Sequence, residues 1–379
     1  MSETLKPRSR RRAGVFGTVL GVAAAGVAAV GVAAGIAAER ALVRRIRTDP
    51  GDPYPREPFG RLPFDESLTL PTPDGGDLYV EVVEPADGVE LDATFADRLA
   101  SRAPVPEPTV VFVHGFCLDM GTFHFQRKEL TRRGDWRAVY YDQPGHGRSG
   151  ALPTGDYELA ALGDALRAVL DVTAPTGPVV LVGHSMGGMV IMAFAERYPE
   201  LFAERVAGVV LIATSAGRLE GTSLGLPELV ARVGRPLLPM VTGATRLTGG
   251  AIDRARLASS DLAWLLTRRY GFGAARPSPS LVSYVEQMNS RTSIETVTRY
   301  LRTLYSHARY PALAALRDKP VLLICGDCDP ITPLAHSAQI KTHLPDAELV
   351  VVPDSGHVVL MEHASEVNAA LVAFLEKIE

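Results

Sequence analysis

The sequence predicts an α/β protein: a doubly wound, mostly parallel sheet with a helical cap insertion, preceded by an N-terminal hydrophobic helix. Three observations predict it. Six short, continuous apolar runs follow one another between residues 109 and 353, separated by stretches with helical spacing. That is the signature of a parallel sheet covered on both faces, where every side chain of a central strand is buried. The rhythm stops for about a hundred residues between Ala213 and Lys319, the length of an inserted cap. At the other end of the chain, 25 residues from Gly14 to Ala38 carry no charge. The 379 residues, 46% apolar and 22% charged, suit one large or two modest folded domains and exclude global disorder or a collagen-like repeat.

In chain order, residues 1–13 form a basic tail with Lys6, Arg8, Arg10, Arg11 and Arg12. Residues 14–38 follow as a transmembrane anchor or signal segment. As a helix this stretch would span roughly 37 Å at about 1.5 Å per residue, enough for a hydrocarbon core of about 30 Å. Its composition, six Gly, nine Ala and six Val, gives little insertion energy. It is longer than the apolar run of a cleaved signal, which favours an anchor. Four arginines, Arg40, Arg44, Arg45 and Arg47, follow it, so the flanking charges barely choose an orientation. The expectation is a membrane-anchored protein whose body lies outside the cytoplasm.

Residues 39–64 are a linker, with five prolines in the fifteen positions from Asp49 to Pro63. The first part of the α/β core covers 65–216. It opens with alternating stretches at 67–70 and 78–85 around Asp74-Gly75-Gly76, a hairpin signal. A polar excursion fills 86–108, and the apolar runs then begin: 109–114, 137–142, 178–183, 206–213, 320–325 and 347–353. Between them, Leu159, Leu162, Leu166 and Val169 recur at steps of three and four, the stripe of an amphipathic helix. The cap is placed at 217–306 and the second part of the core at 307–379.

Charge and cysteine content exclude other classes. The net charge is −4, of which residues 1–12 contribute +4, so the remainder carries −8 and would repel a phosphate backbone; no nucleic-acid partner is expected. Three cysteines, Cys117, Cys325 and Cys328, are too few for a disulfide framework.

The chemistry concentrates after the run 178–183, where Gly183-His184-Ser185-Met186-Gly187-Gly188 leads straight into a helical pattern. This is G-x-S-x-G in strand–turn–helix context. A serine on so tight a turn needs small residues two before and two after it, and Gly183 and Gly187 supply them. The turn also places Ser185 at a helix N-terminus, whose N–H groups favour developing negative charge. Serine needs a base, and the base needs an orienting acid. Of nine histidines, His357 follows the last strand and so shares the carboxyl edge of the sheet with Ser185. A carboxylate at the same edge comes from Gly326-Asp327-Cys328-Asp329-Pro330. The order Ser, Asp, His differs from that of chymotrypsin-like and subtilisin-like enzymes.

With these motifs, residues 65 to 379 resemble an α/β-hydrolase of the capped, lipase/esterase-like type. His114-Gly115-Phe116, Asp142-Gln143-Pro144-Gly145-His146-Gly147-Arg148-Ser149, Gly183 to Gly188, Gly326 to Pro333 and Gly356-His357 appear in the family's order. The resemblance implies Ser185 as nucleophile, His357 as general base and Asp329, in preference to Asp327, as the orienting carboxylate. It also implies an oxyanion hole from the backbone N–H groups of Phe116 and Met186. His114-Gly115-Phe116-Cys117 departs from the HGGG form of many esterases, and 86–108 is longer than the family's usual connection. Dehalogenases and epoxide hydrolases of this fold carry aspartate at the elbow, so Ser185 argues against both.

Other patterns are weaker. Gly145 to Gly150 matches GxGxxG, but Pro153 and Gly155 break the chain where a dinucleotide site needs a helix. Cys325 and Cys328 form a CxxC with no second pair to complete a metal cage. His184 reads as a packing residue pointed away from Ser185, and His114 as a support of the oxyanion loop. Trp264, Tyr270, Phe272 and Tyr284 are candidates to line an acyl pocket. The resulting expectation is a serine hydrolase acting on carboxylic esters of small to medium apolar substrates through an acyl-enzyme, without metal or organic cofactor. Carbon–carbon bond hydrolysis and haloperoxidase or perhydrolase chemistry are the alternatives on the same fold, and a non-catalytic tethered binding protein is a remote one.

Overall fold

The computed structural model describes residues 43, 45–72, 75–86, 108–153, 155, 157–217 and 260–378, in two compact units that divide between Gly51 and Asp52. The stretch 14–38 read as a hydrophobic helix lies outside the described residues, as do 87–107 in the excursion and 218–259 in the cap. Among the described residues no helix is long and apolar enough to cross a membrane. The first unit contributes a short helical turn at 45–47; everything below concerns the second.

An eight-stranded sheet forms the centre of that unit, in the order β1-β2-β4-β3-β5-β6-β7-β8. The strands are β1 (Glu66–Pro71), β2 (Asp77–Val83), β3 (Thr109–Val113), β4 (Ala138–Tyr141), β5 (Val179–His184), β6 (Val206–Ile212), β7 (Val321–Gly326) and β8 (Glu348–Val352). Strands β3 to β8 are parallel, while β2 runs antiparallel to both β1 and β4. The β1–β2 turn closes on Thr72, whose N–H donates to the Gly76 carbonyl (2.7 Å) and whose hydroxyl accepts from the Gly76 N–H (2.7 Å). Strands β3, β4, β5 and β7 are buried along their whole length, as their largely apolar runs lead one to expect of central strands. The last strand, β8, is apolar yet half exposed, because it is the sheet's edge and covers only one neighbour.

Helices cover both faces: α1 (His124–Arg133), α2 (Leu159–Thr173), α3 (Met186–Arg197), α4 (Pro199–Arg205), α8 (Leu334–His343), α9 (Val359–Glu362) and α10 (Ala364–Leu375), with the cap helices α5 (Ser260–Gly271), α6 (Pro279–Arg291) and α7 (Ile294–Ser306) between β6 and β7. Leu159, Leu162, Leu166 and Val169 of α2 are buried, as their spacing demands. The chain enters and leaves the cap at one point, where Gly217 bridges Ala308 and the Arg309 N–H donates to the Ala216 carbonyl (2.6 Å).

The proline-rich stretch 52–63 forms neither helix nor strand, but its path is set by side chains. The Asp52 carboxylate accepts from Ser278 and Ser280 at the start of α6, Glu57 meets His124 and Lys128 of α1, and the Phe59 ring stacks on Tyr284 with centroids 4.7 Å apart. Register aligns the carboxyl ends of the strands, with His184 opposite Ile212, Ile212 opposite Ile324 and Gly326 opposite Val352. The segments that follow β5, β7 and β8 therefore emerge side by side.

Candidate active site

Ser185 stands between β5 and α3 with φ +52° and ψ −116°, a conformation that a non-glycine residue holds only when its surroundings enforce it. Three hydrogen bonds do so. The Ser185 N–H donates to the Ile212 carbonyl (2.9 Å), and its own carbonyl accepts from the Gly188 N–H (3.0 Å) and the Thr214 hydroxyl (2.6 Å). The two small residues flanking it are required by contact: a Cβ on Gly183 would lie 2.6 Å from the Gly188 nitrogen, and one on Gly187 would overlap the Val113 carbonyl of β3. Gly187 thus makes room for the neighbouring strand rather than for the other arm of the turn.

The loops after β7 and β8 bring His357 and Asp329 to this serine. His357 Nε2 lies 2.9 Å from Ser185 Oγ, and its Nδ1 lies 2.8 Å from Asp329 Oδ2. All three residues are less than a tenth exposed. Asp329 Oδ1 accepts the N–H groups of Ile331 (2.7 Å) and Thr332 (3.0 Å), and Oδ2 accepts the Thr332 hydroxyl (2.8 Å). Burial works to raise the Asp329 carboxyl, but the adjacent His357 and the Thr332 hydrogen bonds outweigh it and hold the group below the usual carboxylate range. An anionic Asp329 takes the Nδ1 proton of His357 as a hydrogen bond and leaves Nε2 with the lone pair that faces Ser185. Asp327 is exposed on the same loop and has no part in this arrangement.

The turn from Gly115 to Leu118, closed by the Leu118 N–H on the Gly115 carbonyl (3.3 Å), lies against the serine: a Cβ on Gly115 would meet the Ser185 Cβ at 3.1 Å. This sets Phe116 beside Ser185, while Met186 is the first residue of α3, where helical N–H groups have no intrahelical acceptor. His114 supports the turn as the neutral tautomer, because its Nε2 accepts the Gln143 N–H (2.8 Å) and its Nδ1–H donates to the Gly115 carbonyl (2.8 Å). Burial, with the neighbouring His146, pushes His114 well below its ordinary value. His184 is also buried and is pushed down to about 3, by burial and then by the His357 ring; its Nε2–H donates to the His357 carbonyl (2.9 Å). It braces His357 without facing the serine.

A cleft of about 260 Å³ opens over Ser185. Phe116, Leu118 and Met189 of the core form one wall, and Leu266, Tyr270, Val285, Leu301 and Leu304 of the cap form the other. Of the cap aromatics, Tyr270 alone lines this cleft: Trp264 is buried against Ser283 of α6 (Nε1 to Oγ, 2.9 Å), Phe272 is buried, and Tyr284 stacks on Phe59. A larger cleft, about 820 Å³, lies between α1 and α10 and contains none of these site residues.

Four residues of the site had no role in the sequence reading. Thr332 and Glu362 act on the Asp329 and His357 loops, the Glu362 carboxylate accepting the N–H groups of Gly356 (2.7 Å), Gly273 (3.0 Å) and Ala274 (2.8 Å) and so tying the His357 loop to the cap. His146 acts on the Gly115–Leu118 turn by accepting the Cys117 N–H (3.1 Å), and Asp142 acts on the segment just after it. Asp142 accepts the Met120 and Arg148 N–H groups (2.8 Å each), and burial with the nearby Asp119 carboxylate raises it to about 7. The segment that matches GxGxxG thus wraps a carboxylate of its own chain. Its motif flagged it; Glu362 carried no flag at all.

Comparison with known proteins follows the same lines. A family model for the alpha/beta hydrolase fold matches residues 108–364. The dihydrolipoyllysine-residue acetyltransferase component of an acetoin cleaving system from Pseudomonas putida is 31% identical over 275 residues, covering 71% of this chain and 63% of that relative, so the match spans less than two thirds of its length. A non-heme haloperoxidase from Rhodococcus erythropolis is 29% identical over 309 residues, 78% of this chain and 98% of the relative. A solved structure of a thermophilic esterase from Thermogutta terrifontis superposes with a TM-score of 0.59 at 25% identity, over 83% of this chain and 99% of the other.

Proposed function

The chain belongs to the α/β-hydrolase fold family, and from that premise we propose that it is a serine hydrolase cleaving carboxylic esters of small to medium apolar substrates through an acyl-enzyme. The observation that carries the reading is the hydrogen-bonded series Ser185 Oγ, His357 Nε2, His357 Nδ1, Asp329 Oδ2, with spacings of 2.9 and 2.8 Å. Ser185 Oγ attacks the carbonyl carbon while His357 Nε2 takes its proton, and Asp329 stabilises the imidazolium. The oxyanion that forms lies at the Phe116 and Met186 N–H groups. Collapse breaks the ester C–O bond, and the proton on His357 passes to the departing alcohol. Water then attacks the acyl-enzyme with His357 as base, releasing the acid and restoring Ser185. The apolar lining and the size of the 260 Å³ cleft support a modest acyl group.

The test is hydrolysis of p-nitrophenyl esters from acetate to palmitate by the full chain, with Ser185→Ala beside it. Turnover that peaks at one chain length and falls by about 10⁴ or more in Ser185→Ala is the expected result. The haloperoxidase relative supports a second reading, peracid formation at the same serine. Stoichiometric fluorophosphonate labelling of Ser185 without ester turnover would point there, or to carbon–carbon bond hydrolysis, and absence of labelling would leave only a binding role. For the stretch 14–38 we propose a membrane anchor with the catalytic body outside the cytoplasm. Full-length protein that stays in the supernatant after high-speed centrifugation without detergent would overturn it.

A further inference from the structure

We propose that the cap sets the geometry of the oxyanion hole through a relay of buried groups, Tyr300–Pro144–His146–Cys117, in which Tyr300 and His146 are positioning residues. The proposal rests on the serine-hydrolase reading of the site. The Pro144 carbonyl accepts two hydrogen bonds, one from the Tyr300 hydroxyl of α7 (2.9 Å) and one from His146 Nδ1 (3.0 Å). A histidine that donates from Nδ1 in its neutral form presents a lone pair at Nε2. That lone pair accepts the Cys117 N–H at 3.1 Å.

Cys117 immediately follows the oxyanion residue Phe116 and sits at φ +59°, a left-handed conformation that an L residue keeps only when its neighbours hold it. The His146 bond holds the Cys117 N–H, and with it the Phe116–Cys117 peptide of the turn that presents the Phe116 N–H. His146 is fully buried, and burial pushes it down to about 4, so the ring stays neutral and the acceptor stays available at neutral pH.

Packing reinforces the connection. The Phe116 ring has its centroid 6.0 Å from that of Tyr300 and 6.3 Å from that of His146, and the His146 and Tyr300 rings are 5.1 Å apart. Thr296, one turn before Tyr300 on α7, presses on Gly145, where an added Cβ would stand 2.9 Å from the threonine methyl. Movement of α7 therefore shifts the Pro144 carbonyl, and with it the tautomer and aim of His146. The seating of the cap helix α7 and the aim of the oxyanion donor are thereby linked.

Tyr300→Phe, His146→Leu, His146→Gln and the double variant Tyr300→Phe/His146→Leu test this in the full chain. Kinetics on the best p-nitrophenyl ester, inhibition by a trifluoromethyl ketone and the rate of fluorophosphonate labelling of Ser185 are the readouts. His146→Leu, which removes the acceptor, is expected to lower kcat about thirtyfold with KM changed less than threefold, and to weaken the ketone by a similar factor. His146→Gln, which restores an acceptor, recovers much of that loss. Tyr300→Phe costs about fivefold, and the double variant is no worse than His146→Leu alone. Additive losses, a change confined to KM, or a Tyr300→Phe variant with wild-type kcat and ketone affinity would overturn the relay. If His146→Leu fails to fold, Tyr300→Phe and His146→Gln decide it by the same ketone and kcat criteria. If the wild type turns over no ester, the labelling rate reads the same relay while the ester reading alone falls; if it neither turns over ester nor labels, both fall.

Discussion

The two walls of the cleft over Ser185 are built by different means. The core wall is held by directional bonds: four hydrogen bonds converge on Asp329, three fix the backbone of Ser185, and His184 braces His357 from below. The cap wall presents mainly apolar side chains to the cleft, Leu266, Tyr270, Val285, Leu301 and Leu304, while hydrogen bonds such as Trp264 to Ser283 and Tyr300 to Pro144 are made by residues outside that lining. Chemistry at fixed geometry needs the first kind of construction, because a displacement of about 1 Å in a reacting group can cost roughly a hundredfold in rate. Selection among chain lengths needs only volume and surface, which the second supplies.

The sharpest break comes at Asp329. Asp329→Asn keeps the shape of the loop, but the amide offers His357 the wrong partner and stabilises no imidazolium. A loss of roughly 10³- to 10⁴-fold in kcat is expected, with KM little changed. A loss under about tenfold in steady-state kinetics would mean that the carboxylate does not orient the base.

Acid separates the walls next. His146 and His184 on the core side, and His307 at the root of the cap, are held at about 4, 3 and 4 by burial, and His114 well below its ordinary value. The unfolded chain binds these protons near pH 6.5 while the folded chain does not, so the unfolded state holds more protons in that window and stability falls as pH drops from about 6.5 toward 4. Thermal unfolding between pH 7.5 and 4.5 is expected to show a steep fall in Tm beginning near 6.5. A flat profile would mean that these histidines titrate normally and that their hydrogen bonds are looser than described.

Thr332 gives a smaller and more local test. Thr332→Val keeps volume and the backbone N–H but removes the hydroxyl that donates to Asp329 Oδ2 (2.8 Å). A hydrogen bond to a charged group contributes about 1.5–3 kcal/mol, so kcat is expected to fall about tenfold or somewhat more. A KM effect instead would move Thr332 from the acid to the cleft lining it also belongs to.

The same division explains what the sequence disclosed. The core is legible because its constraints are local: Val, Leu and Ile runs specify buried strands, and G-x-S-x-G names its own turn. Strand β8 shows the limit, since an apolar run does not say whether it is central or at the edge. The long-range bonds were illegible. Nothing near Glu362 in sequence says that its carboxylate will gather N–H groups from Gly273 and Ala274 about ninety residues earlier. Nothing in the spacing of Asp142 and His146 says that they hold Met120 and Cys117. The cap was least legible, because an aromatic in a helix can serve the helix's own core: Trp264 does so, and Tyr270 lines the cleft.

Tyr270 therefore provides the mildest and most specific test of the comparison. It stands on α5 opposite the core wall and makes no contact with the triad in the hydrogen-bond network described above. Tyr270→Ala deepens the cleft by the volume of a ring. Because each methylene in an apolar pocket is worth about 1–3 kcal/mol of discrimination, esters about two carbons longer than the wild-type optimum are expected to gain several-fold in relative kcat/KM. Fluorophosphonate labelling of Ser185 should stay within about twofold, since the core wall is untouched. Chain-length preference that does not move would show that selection lies elsewhere in the cleft. A large fall in labelling would show that the two walls are coupled through α5 as well as through α7.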